Sequence, residues 1–332
     1  MNCKEMEIMN RIRFGLIGTS EIAEKMAQAL TQCPKTLPKA IYSRSKTKGE
    51  TFAKNHRIPC VCSTLEDLAK EVDAVYIASP NALHCEQTLF FLERKIPVLC
   101  EKPLASNLRE VEAMVACAKR NGTYLAEAYK SRWMPAYSLM KEHLADLGPI
   151  RNVRFDFSKY SSRYDAHKRG EDVNTFKAEF SNGALLDLGV YCLYPALELF
   201  GVPESVSGFG IPVDGGVDGV GCTVMTYDGF LVTLNYSKIS TASRACEIQG
   251  EEGTMVIDAI STPRKIEIFF RSGAYKAYAP YTEKNDMVYE CEAFADALAR
   301  RDETDGTAFF NAFRILDAVR KSVGIVYPAD QK

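Results

Sequence analysis

Four groups of residues in this 332-residue chain have types and spacings suited to chemistry. The first lies in the run Gly183-Ala184-Leu185-Leu186-Asp187-Leu188-Gly189-Val190-Tyr191. Asp187 and Tyr191 stand at i and i+4, so on a helix a carboxylate and a phenol share one face, with Cβ atoms about 5–6 Å apart. A phenol with its ordinary pKa of about 10 is a weak acid–base group, but a neighbouring ammonium favours phenolate and brings it toward the working range. The second group is Cys100-Glu101-Lys102-Pro103, at the end of an expected strand. Pro103 biases Lys102 toward extended backbone, which would aim the ammonium into the cleft where open parallel sheets bind ligands. The third is Gly18-Thr19-Ser20-Glu21-Ile22-Ala23, a G-x-S-x-x-A form of the dinucleotide fingerprint. Gly18 permits a tight turn, Ala23 lets the helix lie close to the strand, and the helix N-terminus offers N–H groups to a pyrophosphate. Ser20 is a departure, placing a Cβ where backbone should approach phosphate, though its hydroxyl is a substitute donor. The fourth is Ser43-Arg44-Ser45-Lys46, with no carboxylate before Glu50. An NAD site carries Asp or Glu there against the ribose, whereas a guanidinium suits a 2′-phosphate, so the loop predicts NADP(H) over NAD(H). Each group also has a plain reading: a capped helix, a solvated basic loop, a surface lysine, and a dipole-stabilised Asp beside a half-buried Tyr.

The elements that must position these residues follow from periodicity. Residues 13–18 read as a buried strand, followed by a helix with Ile22, Met26 and Leu30 on one stripe. Further strands are expected at 39–42, 73–78, 97–100 and 123–126. Between them lie a helix carrying Phe52 and Ala53, one opened by a Ser63-x-x-Glu66 capping box, one over 85–92 and one through Val111, Met114 and Ala118. Such alternation means a doubly wound parallel sheet. From about residue 150, hairpin signals at Asp228-Gly229, Glu252-Gly253 and Ser272-Gly273 predict a mainly antiparallel sheet. One helix, over 187–200, interrupts it, and helices over 289–299 and 307–323 close the chain. The expected fold is α/β: a Rossmann-type domain over residues 1–130, then an α+β domain over 131–332 with an open sheet.

Composition narrows the function classes. Hydrophobic residues are 46% and charged residues 25%, which suits packed cores. Lys plus Arg number 41 against 43 for Asp plus Glu, a net charge of −2, so no overall field attracts nucleic acid or an anionic membrane. No apolar run is expected to cross a membrane, and Lys4, Glu5 and Glu7 stand where a leader would be apolar. Eleven Cys spread through expected strands and helices predict reduced core thiols and a cytoplasmic protein. With four His and Cys60-x-Cys62 wrongly spaced for zinc, no metal is expected.

Taken together, these residues resemble the Gfo/Idh/MocA family, the relatives of glucose-fructose oxidoreductase and inositol dehydrogenase. The resemblance spans nearly the whole chain. It rests on the glycine turn, Ser43-Arg44-Ser45, Ser79-Pro80-Asn81 with His84, Glu101-Lys102-Pro103, Glu127-Ala128 with Arg132 and Pro135, and the G-x-x-x-D-x-G segment ending at Tyr191. It implies hydride transfer between NADP, or NAD, and a small sugar-like or carbonyl substrate, and a homodimer or higher homo-oligomer through the second sheet. Lys102 matches the family's active-site lysine and Asp187 its motif aspartate. It also implies that Gly18, Thr19, Ser20, Ile22, Ala23, Ser43, Arg44, Lys46, Ser79, Pro80, Asn81, His84, Glu101, Lys102 and Arg132 bind cofactor, with Arg132 and Trp133 near the cleft wall. Tyr191, where many members carry His, looks like the branch of dimeric dihydrodiol dehydrogenase and D-xylose dehydrogenase. That supports a Tyr acid and weighs against a cyclitol or inositol. On this reading Tyr191 exchanges the proton on the substrate oxygen, Lys102 holds that oxygen, and Asp187 orients Lys102 or a substrate hydroxyl. Two alternatives stay open: glycoside hydrolysis or elimination through transient oxidation with NAD, and a dinucleotide-sensing protein without turnover.

Overall fold

The computed structural model describes residues 11–331, which form two compact units. The charged N-terminal residues Lys4, Glu5 and Glu7, on which the absence of a leader was argued, lie outside the described residues. The first unit contains β1 (Ile12–Ile17), α1 (Glu21–Gln32), β2 (Thr36–Tyr42), α2 (Lys46–His56), β3 (Cys60–Cys62), α3 (Leu65–Glu71), β4 (Ala74–Ile77), α4 (His84–Leu92), β5 (Val98–Glu101), α5 (Leu108–Asn121) and β6 (Leu125–Ala128). Its six strands are parallel in the order β3-β2-β1-β4-β5-β6. The strand order reverses between β1 and β4, and the crevice at that switch point is where such sheets bind ligands. Every residue of β4 is buried, as in a sheet covered on both faces. Pro38 is accommodated inside β2 because β3 pairs only from Ala40 onward.

Two local expectations shift by one or two residues. The helix after β3 is capped by Thr64, whose hydroxyl accepts from the Asp67 N–H at 3.0 Å, rather than by Ser63 with Glu66. Adjacent Ser and Thr are near-equal caps, so sequence alone does not choose between them. The last strand begins at Leu125 rather than 123, because Thr123 N–H still closes α5 onto the Ala118 carbonyl at 3.1 Å.

The second unit holds α6 (Pro135–Glu142), β7 (Ile150–Ser158), α7 (Tyr164–Lys168), a π-helical turn (Leu185–Gly189) and α8 (Val190–Phe200). Strands β8 (Ser205–Val213), β9 (Val217–Tyr227), β10 (Phe230–Ser237), β11 (Cys246–Gly250), β12 (Gly253–Ile257), β13 (Ile266–Phe270) and β14 (Tyr275–Tyr278) follow. With β7 they form an eight-stranded sheet, β14-β13-β12-β11-β7-β10-β9-β8, antiparallel except where β7 meets β10. Asp228-Gly229 and Ser272-Gly273 turn the β9–β10 and β13–β14 hairpins, with both glycines at positive φ. One face alternates buried residues against α8 and α10 (Thr307–Ser322), and the other leaves Phe209, Ile211, Leu231 and Phe269 exposed.

Two expectations are corrected. The cut at 130/131 assigned everything after it to the second domain, yet Glu283–Gly306, with α9 (Val288–Arg300), belongs to the first unit. Met287, Val288, Cys291 and Phe294 pack in one core with Phe14, Met26 and Leu30, a long-range contact that helical periodicity alone cannot assign. One run, Ala178–Phe200, is after all long and apolar enough to cross a membrane, but 61% of its most apolar window is buried inside the protein.

Candidate active site

In the first unit the turn after β1 is held tightly. Gly18 has φ +106°, and a Cβ there would lie 2.6 Å from the Ala78 carbonyl oxygen. The end of β1 is pinned to the end of β4 by Ala78 N–H donating to the Ile17 carbonyl at 2.9 Å, so a side chain at 18 could not be relieved by small shifts. Ala23 is fully buried, as close helix–strand packing requires. Ser20 is the extended N-cap of the twelve-residue α1, yet its side chain makes no capping bond. Its hydroxyl is therefore not consumed by the helix, and the N–H groups of the first turn, beside half-buried Thr19 and Ile22, keep their capacity for an anion. At the end of β2, Ser43 Oγ accepts from Ser45 N–H at 3.3 Å and Ser45 Oγ from Lys48 N–H at 3.4 Å, building a capped turn. The turn leaves Arg44 and Lys46 exposed, with Lys46 3.9 Å from Glu50. A dinucleotide fits these residues: a switch-point turn, an uncapped helix start and a basic loop at the ribose end.

The ends of β4 and β5 are tied together. His84 is buried, with Nδ1 2.9 Å from the Pro103 carbonyl and Nε2 3.0 Å from the Ser79 carbonyl. Burial holds its pKa below the ordinary value although both carbonyls oppose this, and the ring sits between the two strand-end loops. Ser79 Oγ donates to Gln87 Oε1 at 2.7 Å, and Pro80 leads into a short turn, Asn81–Leu83. Glu101 is buried; it accepts from the Tyr76 hydroxyl and, at 3.2 Å, from the backbone N–H of Lys102. Burial raises its pKa against the opposing Lys102 ammonium and Tyr76 hydrogen bond. Behind it Glu290 is buried with neither carboxyl oxygen hydrogen-bonded among the described residues; burial and then Glu101 push its pKa well up. His84 and Glu101 thus hold protein groups around Lys102, which is half-buried and precedes a cis peptide to Pro103.

In the second unit the G-x-x-x-D-x-G segment folds as the π turn and the start of α8, a geometry that often marks functional sites. Its glycines have identifiable partners. A Cβ at Gly183, where φ is +141°, would fall 2.1 Å from Asp218 Oδ1, and one at Gly189 would fall 3.1 Å from the Tyr236 ring. Asp218, buried in β9, accepts the Leu185 N–H at 2.7 Å and so caps the turn. Burial pushes its pKa up to about 6, opposed by hydrogen bonds from Leu185, Asp218 and Ala184 N–H groups and by the Lys238 ammonium. Asp187 accepts from Lys238 Nζ at 2.7 Å. The sequence reading gave Asp187 to Lys102 or a substrate; the structure gives it an ammonium of its own unit. Tyr191 is half-buried, edge-on to Phe157 at 5.3 Å between ring centroids. Arg132 pairs with Glu198 at 3.1 Å and lies over the Trp133 ring at 5.3 Å. The sequence reading missed Asp218 and Lys238; the signal for Asp218 was a carboxylate inside an apolar strand, and Lys238 had none.

The strand order and the glycine turn after β1 define a Rossmann-type fold of the dinucleotide-binding kind. The sequence profile of the GFO_IDH_MocA oxidoreductase family, with its NAD-binding Rossmann fold, matches residues 12–129, and that of the GFO/IDH/MocA C-terminal domain matches residues 137–256. The chain belongs to this family and is an NAD(P)-dependent oxidoreductase. It is similar to scyllo-inositol 2-dehydrogenase (NADP(+)) IolU of Bacillus subtilis, 43% identical and covering 96% of this chain and 99% of that protein. It is similar also to trans-1,2-dihydrobenzene-1,2-diol dehydrogenase of Bos taurus, 29% identical over 96% and 99%. A solved 3-ketoreductase of Actinomadura kijaniata, in complex with NADP and TDP-benzene, shares the fold with a TM-score of 0.82 at 24% identity, covering 95% of this chain and 98% of that one.

Proposed function

We propose that this chain interconverts a ring hydroxyl and its ketone on a cyclitol or related sugar-like substrate, using NADP(H) in preference to NAD(H). The observation that carries the substrate class is the 43% identity across nearly the full length of a scyllo-inositol 2-dehydrogenase. It withdraws the weight that Tyr191 placed against a cyclitol. The cofactor preference is supported by exposed Arg44 and Lys46 at the end of β2, where a carboxylate would repel a 2′-phosphate.

When bound, the nicotinamide supplies the hydride acceptor or donor. The protein's own groups do the rest. Gly18, Thr19, Ser20, Ile22 and Ala23 form the pyrophosphate turn; Ser43, Arg44 and Lys46 take the ribose phosphate. Ser79, Pro80, Asn81, His84 and Glu101 shape the loops beside it, and Arg132 is assigned to the same cofactor. Tyr191 exchanges the proton of the reacting hydroxyl, Lys102 hydrogen-bonds that oxygen as charge develops, and Asp187 orients a substrate hydroxyl. Proton transfer by such a group contributes about 10²–10⁴ in rate. The exposed apolar row Phe209, Ile211, Leu231 and Phe269 supports a homodimer through the open sheet, and the free thiols among the described residues support a cytoplasmic location.

The test is a panel of cyclitols, a dihydrodiol and aldopentoses with NADP⁺ and with NAD⁺, read by nicotinamide absorbance. Turnover of a cyclitol with NADP⁺ is expected. Faster turnover with NAD⁺ rejects the role of Arg44; turnover of only open-chain or aldopentose substrates rejects the substrate class.

A further inference from the structure

Lys238 directly follows β10 and is not part of any recognised motif of the chain. Its side chain is 3% exposed, and Nζ lies 2.7 Å from Asp187 Oδ2. An ammonium buried this deeply is strongly destabilised unless it is paired and fixed. Here it is fixed at both ends. The backbone is anchored by Lys238 N–H donating to the Gly219 carbonyl and by the Lys238 carbonyl accepting from Ser161 N–H, each at 2.8 Å. The head lies over the Phe176 ring, 5.4 Å from its centroid, and acts on Asp218 through its field. Asp187, by contrast, is 37% exposed. The ammonium therefore lies beneath the carboxylate and is itself shut off from solvent, and from any substrate that solvent delivers.

The segment around the π turn is joined to β9 and the end of β10 by Gly183 against Asp218, Gly189 against Tyr236, and Asp187 paired with Lys238, besides the Leu185 N–H bond to Asp218. The first two are steric and set where the turn runs. The third is the one that sets a side-chain rotamer and a charge. A 2.7 Å charge-assisted hydrogen bond from a fixed donor selects one Asp187 orientation and favours its ionised form.

From this geometry we infer that Lys238 is a positioning residue for the reaction: it locks Asp187, ionised and in one rotamer, for its work on the substrate. This rests on the role given to Asp187 above. Lys238 also reaches Asp218 through its field, but its effect on the reaction runs through Asp187 and is expected to vanish when Asp187 is removed.

The experiment is a double-mutant cycle on the intact protein, with scyllo-inositol and NADP⁺ and with NADPH affinity measured by fluorescence. Lys238→Met keeps the aliphatic stem and deletes the charge. It is expected to lower kcat about tenfold to a hundredfold with NADPH affinity unchanged, and Asp187→Asn/Lys238→Met is expected to be no slower than Asp187→Asn alone. Lys238→Gln, which keeps a donor without the charge, serves if the Met variant does not fold; its loss should likewise vanish in the Asp187→Asn background. A slow Asp187→Asn enzyme combined with a fully active Lys238 variant, or with losses that multiply in the double variant, overturns the role of Lys238. Full activity of Asp187→Asn itself overturns the assigned role of Asp187 instead, so the two failures are distinct.

Discussion

The turn at Gly18 and the turn at Asp187 are both short glycine-bearing segments that present chemistry, yet they are specified in opposite ways. The first is legible locally: Gly18, Ser20 and Ala23 lie within six residues, and their tasks follow from a strand, a tight turn and a helix start, with Ala78 at the end of β4 as the one distant group that closes it. The second is made by distant chain. Gly183 is glycine because of Asp218, Gly189 because of Tyr236, and Asp187 is held by Lys238. A cofactor common to many enzymes is met by a motif that travels as a unit, whereas the turn bearing Asp187 is assembled from one strand pair and depends on its register.

The largest effect expected from this contrast is at Gly18. Gly18→Ala places a Cβ 2.6 Å from a backbone oxygen at a φ that L residues rarely adopt. NADP(H) affinity should fall at least a hundredfold, about 3 kcal/mol, by titration. Near-normal affinity would mean that the turn is not the rigid part of this molecule.

A somewhat smaller effect concerns the second turn's anchor. Asp218 has a carboxyl pKa raised from 3.8 to about 6 in the folded protein. Between those values the native state keeps a proton that the unfolded chain has lost, so this group's contribution to stability declines as pH rises from about 4 to 6. The size is about 3 kcal/mol at one pKa unit per ~1.4 kcal/mol. Asp218→Asn keeps an acceptor for Leu185 N–H and does not titrate. Urea unfolding should therefore show the variant gaining on the wild type by about 2 kcal/mol between pH 4 and pH 7.5. An unchanged difference would sharpen the comparison the other way, with Asp218 solvated and the turn less dependent on it.

The smallest effect is at the surface. Arg44 is exposed, so Arg44→Ala should leave folding intact and shift the kcat/KM ratio of NADP⁺ to NAD⁺ by about tenfold toward NAD⁺. An unmoved ratio would give the discrimination to residues other than this loop.

Much of the first unit was legible because parallel strands buried on both faces read as apolar runs and each helix carries its own stripe. What was not legible depended on return of the chain. α9 follows the whole second sheet in sequence yet packs Phe294 on Phe14, with ring centroids 5.6 Å apart. The cap at Thr64 rather than Ser63 is a choice between equivalent side chains that only packing decides. Of the candidate site residues, Lys102, Asp187 and Tyr191 were visible from spacing. The groups packed against Glu101 and the π turn, Tyr76, Glu290, Asp218 and Lys238, come from other parts of the chain. His84 and Glu101 were visible as motif residues, but their burial and their bonds to Pro103, Ser79 and Tyr76 were not.

The role proposed for Tyr191 is exchange of the proton of the reacting hydroxyl. Its most direct test is the turnover of Tyr191→Phe with scyllo-inositol and NADP⁺, with NADPH binding measured on the same sample. Loss of the hydroxyl alone should lower kcat about 10²–10⁴-fold and leave NADPH affinity as in the wild type. A Tyr191→Phe enzyme with undiminished kcat would contradict the claim.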